Sequence, residues 1–455
     1  MKKIFIGLAF IVVAVAAMPF AMGFKVESSV QEQITYANTV SGAYFETRLA
    51  GYQRGYNSST AQSIVILKLS ALGSSTELED IPLHFNHEIQ HGPIVNTPQG
   101  TRAAASYVVT RIDTSKLSAE KMLALKKHLT KPDDIFVSRD LVSFYGEVET
   151  HASVTGVNIK EDKSFLDFAG IEAQLNSNLL THAFSGVITL GAVNSSIGEN
   201  GFAMQGGKID VDLTEQSHGL WLGEQNYVLN ELVFSKAGTE LVSIDTFKMD
   251  STTQAQSRKL DSAFAMAAMG VESIIPVVKN AAFDFELNQL PLSAVEKMQA
   301  LLKETEESVP ADATMEQRQA LFMSMFVQHG AELFNMYMQT GVELKLGLNL
   351  DSTEGKGKAE LGIGFNGVDG SDLVAAFMES PENAIKGFNG EMKVDVDEAL
   401  FAMVPGGQQV EQGVQMGFVK REEGKLISQL KLENAIITVN EAMQLPVMQM
   451  LAGMK

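Results

Sequence analysis

The chain has no cysteine among its 455 residues. Disulfides therefore cannot staple it, and no thiolate can act as nucleophile or metal ligand. At this length none is needed, because a large chain buries most of its surface in its own core. Basic residues are also short relative to acidic ones, 35 against 55, which leaves a formal net charge of −20. That charge repels phosphate backbones and anionic headgroups, so it argues against nucleic acid as a partner. It suits solubility and contact with basic partners or divalent cations, although scattered surface carboxylates account for it equally well. There is one tryptophan, Trp221 in Gly219-Leu-Trp-Leu-Gly223, expected in the core and not as a ligand platform. No low-complexity tract, fixed-period repeat or linker rich in Pro, Gly or Ser divides the chain.

Charge is missing altogether from Ile4 to Phe24, directly after Met1-Lys2-Lys3. A run of roughly 20 apolar residues can span a bilayer as a helix. It is longer than the ~7–15 apolar residues of an ordinary cleavable signal peptide. The two lysines keep this end in the cytoplasm, and a membrane helix tolerates Pro19. Residues 1–24 are expected to be a signal anchor, with cleavage after Ala21-Met22-Gly23 as the alternative. Residues 25–455 then form a body outside the cytoplasm. Val26, Val30, Ile34 and Ala37 recur at helical spacing beside Glu27, Gln31 and Glu32, which predicts a helical stalk beyond the anchor.

Beyond the stalk, most of the chain alternates with period two, the pattern of strands with one buried face. Val342, Leu344, Leu346, Leu348 and Leu350 share one face, and Gly357, Ala359, Leu361, Ile363 and Phe365 alternate back after a turn at Asp351–Gly355, predicting a hairpin. Strands are also expected at Ile64–Leu69, Tyr107–Ile112, Val142–Glu149, Gly186–Leu190, Lys208–Leu213, Trp221–Phe234, Leu260–Met269 and Ala281–Leu290. A last hairpin pairs Gly417–Arg421 with Leu426–Leu432. Ser118 is placed to cap a helix over Ala119–Leu129, with Leu117 and Met122 as a hydrophobic staple. The capping boxes Ser293-Ala-Val-Glu296 and Thr314-Met-Glu-Gln317 open helices of about 13 and 25 residues. A short helix at Asp372–Glu379 is expected to stop before Pro381. The fold class expected is α+β and predominantly β: an N-terminal membrane-spanning or signal helix, then an extended curved antiparallel sheet with a helical insertion near 291–341. That insertion is also the best place for any domain boundary.

One segment matches a catalytic signature. His87-Glu88-Ile89-Gln90-His91 fits the zincin pattern H-E-x-x-H, whose chemistry needs a helix to bring both imidazoles to one metal while the glutamate polarises the bound water. Pro82 before the segment and Gly92-Pro93 after it argue against a helix, and Leu83, Phe85, His87 and Ile89 alternate as in a strand. On a strand, residues four apart are separated by roughly 13 Å, too far to share a zinc ion. The chance match is favoured over the zincin, and over a surface site built from His84, His87 and His91. Arg54-Gly55-Tyr56-Asn57-Ser58-Ser59 could clamp an anion through the arginine fork, but reads more simply as a tight bend. Met315, Met323, Met325, Met336 and Met338, among Leu321, Phe322, Phe326, Leu333 and Phe334, could line an adaptable groove; core packing is the expected role.

Arg54-Gly-Tyr-Asn-Ser-Ser59, the Phe85–Pro93 segment ending in His91-Gly92-Pro93, and the closing stretch Leu426–Leu432, Asn434 and Ile437-Thr-Val-Asn440 together resemble the YdgA-like family of bacterial envelope proteins, a family of unknown function. Asn434-Ala435 and Asn440-Glu441 stand where that family commonly has Asn-Gly turns. The resemblance implies an ectodomain in the periplasm, tethered to the inner membrane, and it brings no catalytic residues. The function expected is therefore a non-enzymatic binding or scaffolding protein of the envelope. The alternatives are a carrier of a lipid-like ligand along an open sheet face and, less favoured, a zinc hydrolase using His87, Glu88 and His91. No catalytic, cofactor-binding or metal-ligating residue and no cofactor is assigned. The partners expected are the membrane through the N-terminal helix, a second copy or another envelope protein, and a lipid.

Overall fold

A computed structural model describes residues 45–68, 80–116, 134–161, 164–217, 220–271, 278–310, 315–368, 372–401 and 407–449, most positions of 26–38, and residues 123 and 127–129. The expected anchor at 1–24 lies outside the described residues. So does most of the expected Ala119–Leu129 helix, of which residues 123, 127 and 128 are helical and Leu129 bridges to Val157. No helix among the described residues is long and apolar enough to cross a membrane.

The chain forms two compact units, Met1–Glu215 and Gln216–Lys455. The division falls between Glu215 and Gln216, not in the helical insertion, which lies inside the second unit. Both units are predominantly β, as the alternation predicts, and their sheets are antiparallel.

Unit 1 contains β1 (Phe45–Arg54), β2 (Ser58–Leu67), β3 (Ile81–His91), β4 (Ile94–Thr97), β5 (Gly100–Ala103), β6 (Ser106–Ile112), β7 (Phe136–Val142), β8 (Glu147–Glu161), β9 (Ser164–Asn178), β10 (Ala183–Leu190), β11 (Val193–Ile197), β12 (Asn200–Met204) and β13 (Gly206–Ser217). Its sheet runs β1-β2-β3-β6-β7-β8-β9-β10-β13. The small hairpin β4–β5 branches out of this order between β3 and β6. It covers one sheet face, burying Val95 and Ala104 against Tyr107, with Val109 and Leu141 packed around them. The strand expected at Val142–Glu149 is a turn instead: β7 ends at Val142, Ser143–Gly146 reverse the chain, and β8 begins at Glu147. Gly146 sits at φ +81°, a conformation glycine adopts at little cost.

Unit 2 contains β14 (Leu220–Lys236), β15 (Thr239–Gln256), β16 (Lys259–Met269) and β17 (Val278–Pro291), then α1 (Leu292–Ser308) and α2 (Met315–Tyr337). It continues with β18 (Glu343–Ser352), β19 (Lys356–Phe365), α3 (Leu373–Glu379), α4 (Pro381–Lys386), β20 (Phe388–Asp397), α5 (Glu398–Phe401), α6 (Gly407–Gln415), β21 (Lys420–Glu422), β22 (Lys425–Glu433), β23 (Ile436–Val439) and β24 (Met443–Pro446). The strands pair largely in chain order from β14 to β20, then through β22 to β24. The predicted β18–β19 hairpin forms in register, Leu346 opposite Leu361. The last hairpin is shorter than expected, with only Lys420–Glu422 pairing to β22.

The helical insertion closes one end of this sheet. Leu220, Leu260, Leu290 and Val342 form a cluster to which Leu292, Val295 and Tyr337 add. Leu301, Met325 and Leu333 join α1 to α2. The methionines of α2 therefore divide: Met325 is core, while Met323 is 63% exposed. Leu220, not Trp221, supplies the core contact at the start of β14, and Trp221 is half-buried. The short helix α3 stops at Glu379, before Pro381, as expected, and a further helix, α4, begins at Pro381. Asp372 caps α3 by accepting from Ala375 N–H, and Ser380 caps a new helix with Pro381 at its first position. There the missing proline N–H would have had no partner anyway.

Candidate apolar binding site

The H-E-x-x-H segment is the C-terminal half of β3, extended as its alternation predicts. His87, Ile89 and His91 share one face of the sheet, and Glu88 points to the other, where it is exposed and 3.3 Å from Arg111. A zincin arrangement is not formed, because the glutamate cannot reach the side on which both imidazoles lie. His84 falls on the Glu88 face by the same period, so it does not gather with His87 and His91. Among the described residues no group of three or more His, Asp or Glu side chains is placed to hold a metal ion.

What the segment builds is a floor. The register sets Ala61 of β2, His87 of β3, Thr110 of β6 and Ser138 of β7 in one row across the sheet, with Ile89, Val108 and Asp140 in the next. His87 Nε2 lies 2.8 Å from Ser63 Oγ, and its Nδ1 lies 2.9 Å from Thr110 Oγ1. A neutral imidazole has one donor and one acceptor nitrogen, and a hydroxyl can answer either. Burial holds the His87 pKa below the ordinary histidine value, which favours that neutral form. Asp140 accepts from Ser138 Oγ at 3.0 Å and from Thr150 Oγ1 at 2.7 Å. Burial pushes its pKa up, and the two hydroxyl bonds only partly oppose that.

Above this floor lies a cavity of about 660 Å³. Most of its wall is aliphatic or aromatic: Leu49, Val65, Phe85, Ile89, Val108 and Phe136 from the sheet, Val26, Val30 and Ile34 from the N-terminal segment. Residues 26–28, 30–32, 34, 35 and 38 are helical. Val26, Val30 and Ile34 of the stripe read as a stalk are therefore the cavity's other wall, turned to the sheet of unit 1 while Gln31 and Thr35 are exposed; Ala37 lies outside the described residues. Glu27 is 3.1 Å from Arg54. Asn38 bonds Thr47 like a neighbouring strand, Oδ1 accepting from its N–H at 2.7 Å and Nδ2 donating to its carbonyl at 2.8 Å. The rim is made of the β7–β8 and β9–β10 turns, tied by Leu179 N–H to Gly146 O at 2.8 Å. It carries Phe144, Tyr145 and Leu180 exposed to solvent.

Two further motifs hold the floor in place. Arg54-Gly-Tyr-Asn-Ser-Ser59 is the β1–β2 turn: Gly55 N–H donates to Ser58 O at 2.8 Å, and a Cβ at Gly55 would stand 2.7 Å from that oxygen. Asn57 O accepts from His91 N–H at 2.9 Å, and Ser59 Oγ lies 2.7 Å from His91 Nε2, which is buried. Gly92 comes next, with a cis bond to Pro93. Its N–H donates to Ala105 O at 2.7 Å, and a Cβ there would lie 1.9 Å from Ala104 O. Only glycine fits where the backbones cross so closely. The motif serves to seat β4–β5 against the sheet. Sequence reasoning found these residues, but not the cavity, since the segments that wall it are far apart in the chain.

No curated protein and no solved structure matches the chain. A family model described as bacterial protein of unknown function (DUF945) matches residues 1–446. With nearly its whole length matched, the chain belongs to that bacterial family of unknown function, DUF945.

Proposed function

We propose that this is a non-enzymatic envelope protein of the YdgA-like kind, tethered to the inner membrane by residues 1–24, whose unit 1 cavity binds an apolar, lipid-like molecule in the periplasm. The observation that carries this reading is the cavity of about 660 Å³ with its aliphatic and aromatic wall. Ligand sites span roughly 300–1,000 Å³ and are mostly apolar with a few placed polar groups. Each Å² of apolar ligand surface removed from water contributes about 25 cal/mol. The exposed Phe144, Tyr145 and Leu180 at the rim suit contact with an apolar guest on its way in.

The tether belongs to the same reading. Only Lys25 separates Phe24, the end of the uncharged run, from Val26, a cavity residue. A retained anchor holds the cavity within a few residues of the bilayer, at most ~3.6 Å per residue. Binding, not catalysis, is favoured because both His87 nitrogens are engaged by hydroxyls and Glu88 faces away.

Organic extraction of full-length protein, followed by mass spectrometry, tests the proposal against the Val108→Phe variant prepared in the same detergent. An apolar small molecule enriched on the wild type and depleted on a variant of unchanged melting temperature is the expected result. Equal extracts from the two would overturn it.

A further inference from the structure

The cavity is apolar but not featureless, and its charged groups among the described residues are all of one sign. Among the described residues, Asp140 and Glu32 line it and no lysine or arginine does. On the sheet, the groups facing Asp140 are Ser138, Thr150 and, one row away, His87. Its neighbour Arg139 and the nearby Arg111 alternate onto the opposite face. Asp140 thus meets hydroxyls from its own sheet and, among the described residues, no fixed cation in the cavity. Ser138 is 3.0 Å from Oδ1 and 3.2 Å from Oδ2, whereas Thr150 bonds Oδ1 alone. Oδ2, with the Ser138 hydroxyl alone at 3.2 Å, keeps lone-pair capacity, and Asp140 lines the cavity.

A carboxylate in apolar surroundings calls for a cation or a strong donor, and an anion placed beside it is repelled. We infer that the cavity takes a cationic amphiphile, an aliphatic body bearing an amine head seated at Asp140, and rejects anionic amphiphiles such as fatty acids. This rests on the apolar-ligand reading above and names the ligand class for it. His87, which burial favours in its neutral form, puts no positive charge beside the amine.

Photoaffinity labelling separates the two claims. Full-length protein in nanodiscs of neutral phosphatidylcholine is exposed to three diazirine probes sharing a decyl chain, ending in an amine, an alcohol or a carboxylate. Labelling is read on the peptides of β2, β3 and β6. Amine labelling of the wild type is expected to exceed carboxylate labelling, and to fall about tenfold in Asp140→Asn, the size of a lost charge-assisted hydrogen bond. Alcohol labelling is expected to stay unchanged. The amine preference should also shrink as the pH is lowered and Asp140 takes up its proton. Labelling by the alcohol without amine preference would overturn the ligand class and leave the apolar cavity standing. Labelling by none of the three would overturn both. Should Asp140→Asn fail to fold, the probe ranking and its pH dependence in the wild type decide alone.

Discussion

Ser63 Oγ lies 2.8 Å from His87 Nε2, on the floor of the unit 1 cavity. With Thr110 at the other nitrogen, three neighbouring strands share one ring. Burial lowers the pKa of His87, and of His91 beside Ser59, below the ordinary value. The unfolded chain therefore binds these protons first as pH falls below about 6.5. Their neutral forms cost nothing above that pH, and stability is lost as pH falls from there toward the depressed folded pKa values. Protection of the β2 and β3 peptides against hydrogen exchange, taken relative to the intrinsic rate at each pH, should fall as the pH drops below about 6.5, and His87→Gln should flatten that dependence.

Asp140 behaves in the opposite sense. Its folded pKa is raised by burial, so the native state binds the proton more readily than the unfolded chain. Stability falls as pH rises from about 3.9, the unfolded value, through the raised folded one. Asp140→Asn keeps an acceptor for Ser138 and Thr150 while removing the charge. The variant is expected to melt at the same temperature as the wild type or higher at pH 7, by calorimetry. A clear drop would mean that the carboxylate has a cationic partner within the fold.

Gly92→Ala should be among the most damaging single changes in unit 1. Its methyl group would stand 1.9 Å from Ala104 O, so the backbone between β3 and the β4–β5 hairpin must move. A loss of about 3 kcal/mol or more is expected, in the range of substitutions that strain a special backbone position. Glu88→Gln, on the exposed face away from the cavity, should stay within about 0.5 kcal/mol and change no ligand binding. Denaturant titration followed by exchange of the unit 1 peptides distinguishes the two.

In unit 2, Met325 and Met323 differ by two residues and by environment. Met325 packs with Leu301 and Leu333, so Met325→Ala should cost about 2–5 kcal/mol. Met323 is exposed, and Met323→Ala should stay within about 0.5 kcal/mol. Thermal unfolding followed by the fluorescence of Trp221 reports on this unit.

The strands were legible because alternation is local: β16, β17 and the β18–β19 hairpin follow their apolar residues closely. Where the pattern ran on through Ser143–Gly146 it misled, since alternation does not mark a turn between two strands of the same face. The closing turns kept their conformation without glycine. Asn434, Ala435, Asn440 and Glu441 all have φ between +50° and +61°. Asn440 accounts for its own place, its Oδ1 accepting from Gln429 N–H at 2.8 Å and its Nδ2 donating to Gly417 O at 2.9 Å. The site was less legible. Val26, Val30 and Ile34 were readable as a stripe, but nothing local says what a stripe faces. Likewise Ser63, Thr110 and Asp140 carry no signal of their own, and His87 stands out only through the H-E-x-x-H match, until strand register sets all four on one floor.

The central claim is that unit 1 holds an apolar guest between that floor and the N-terminal segment. The most direct measurement places the photo-crosslinking residue p-benzoylphenylalanine at Val65, in the cavity wall, or at Glu88, on the opposite face, in full-length protein in living cells. After irradiation, the mass of each peptide is read. A small aliphatic adduct at position 65 and none at 88 is the result expected. An unmodified peptide at position 65, or the same adducts at both positions, would contradict the account.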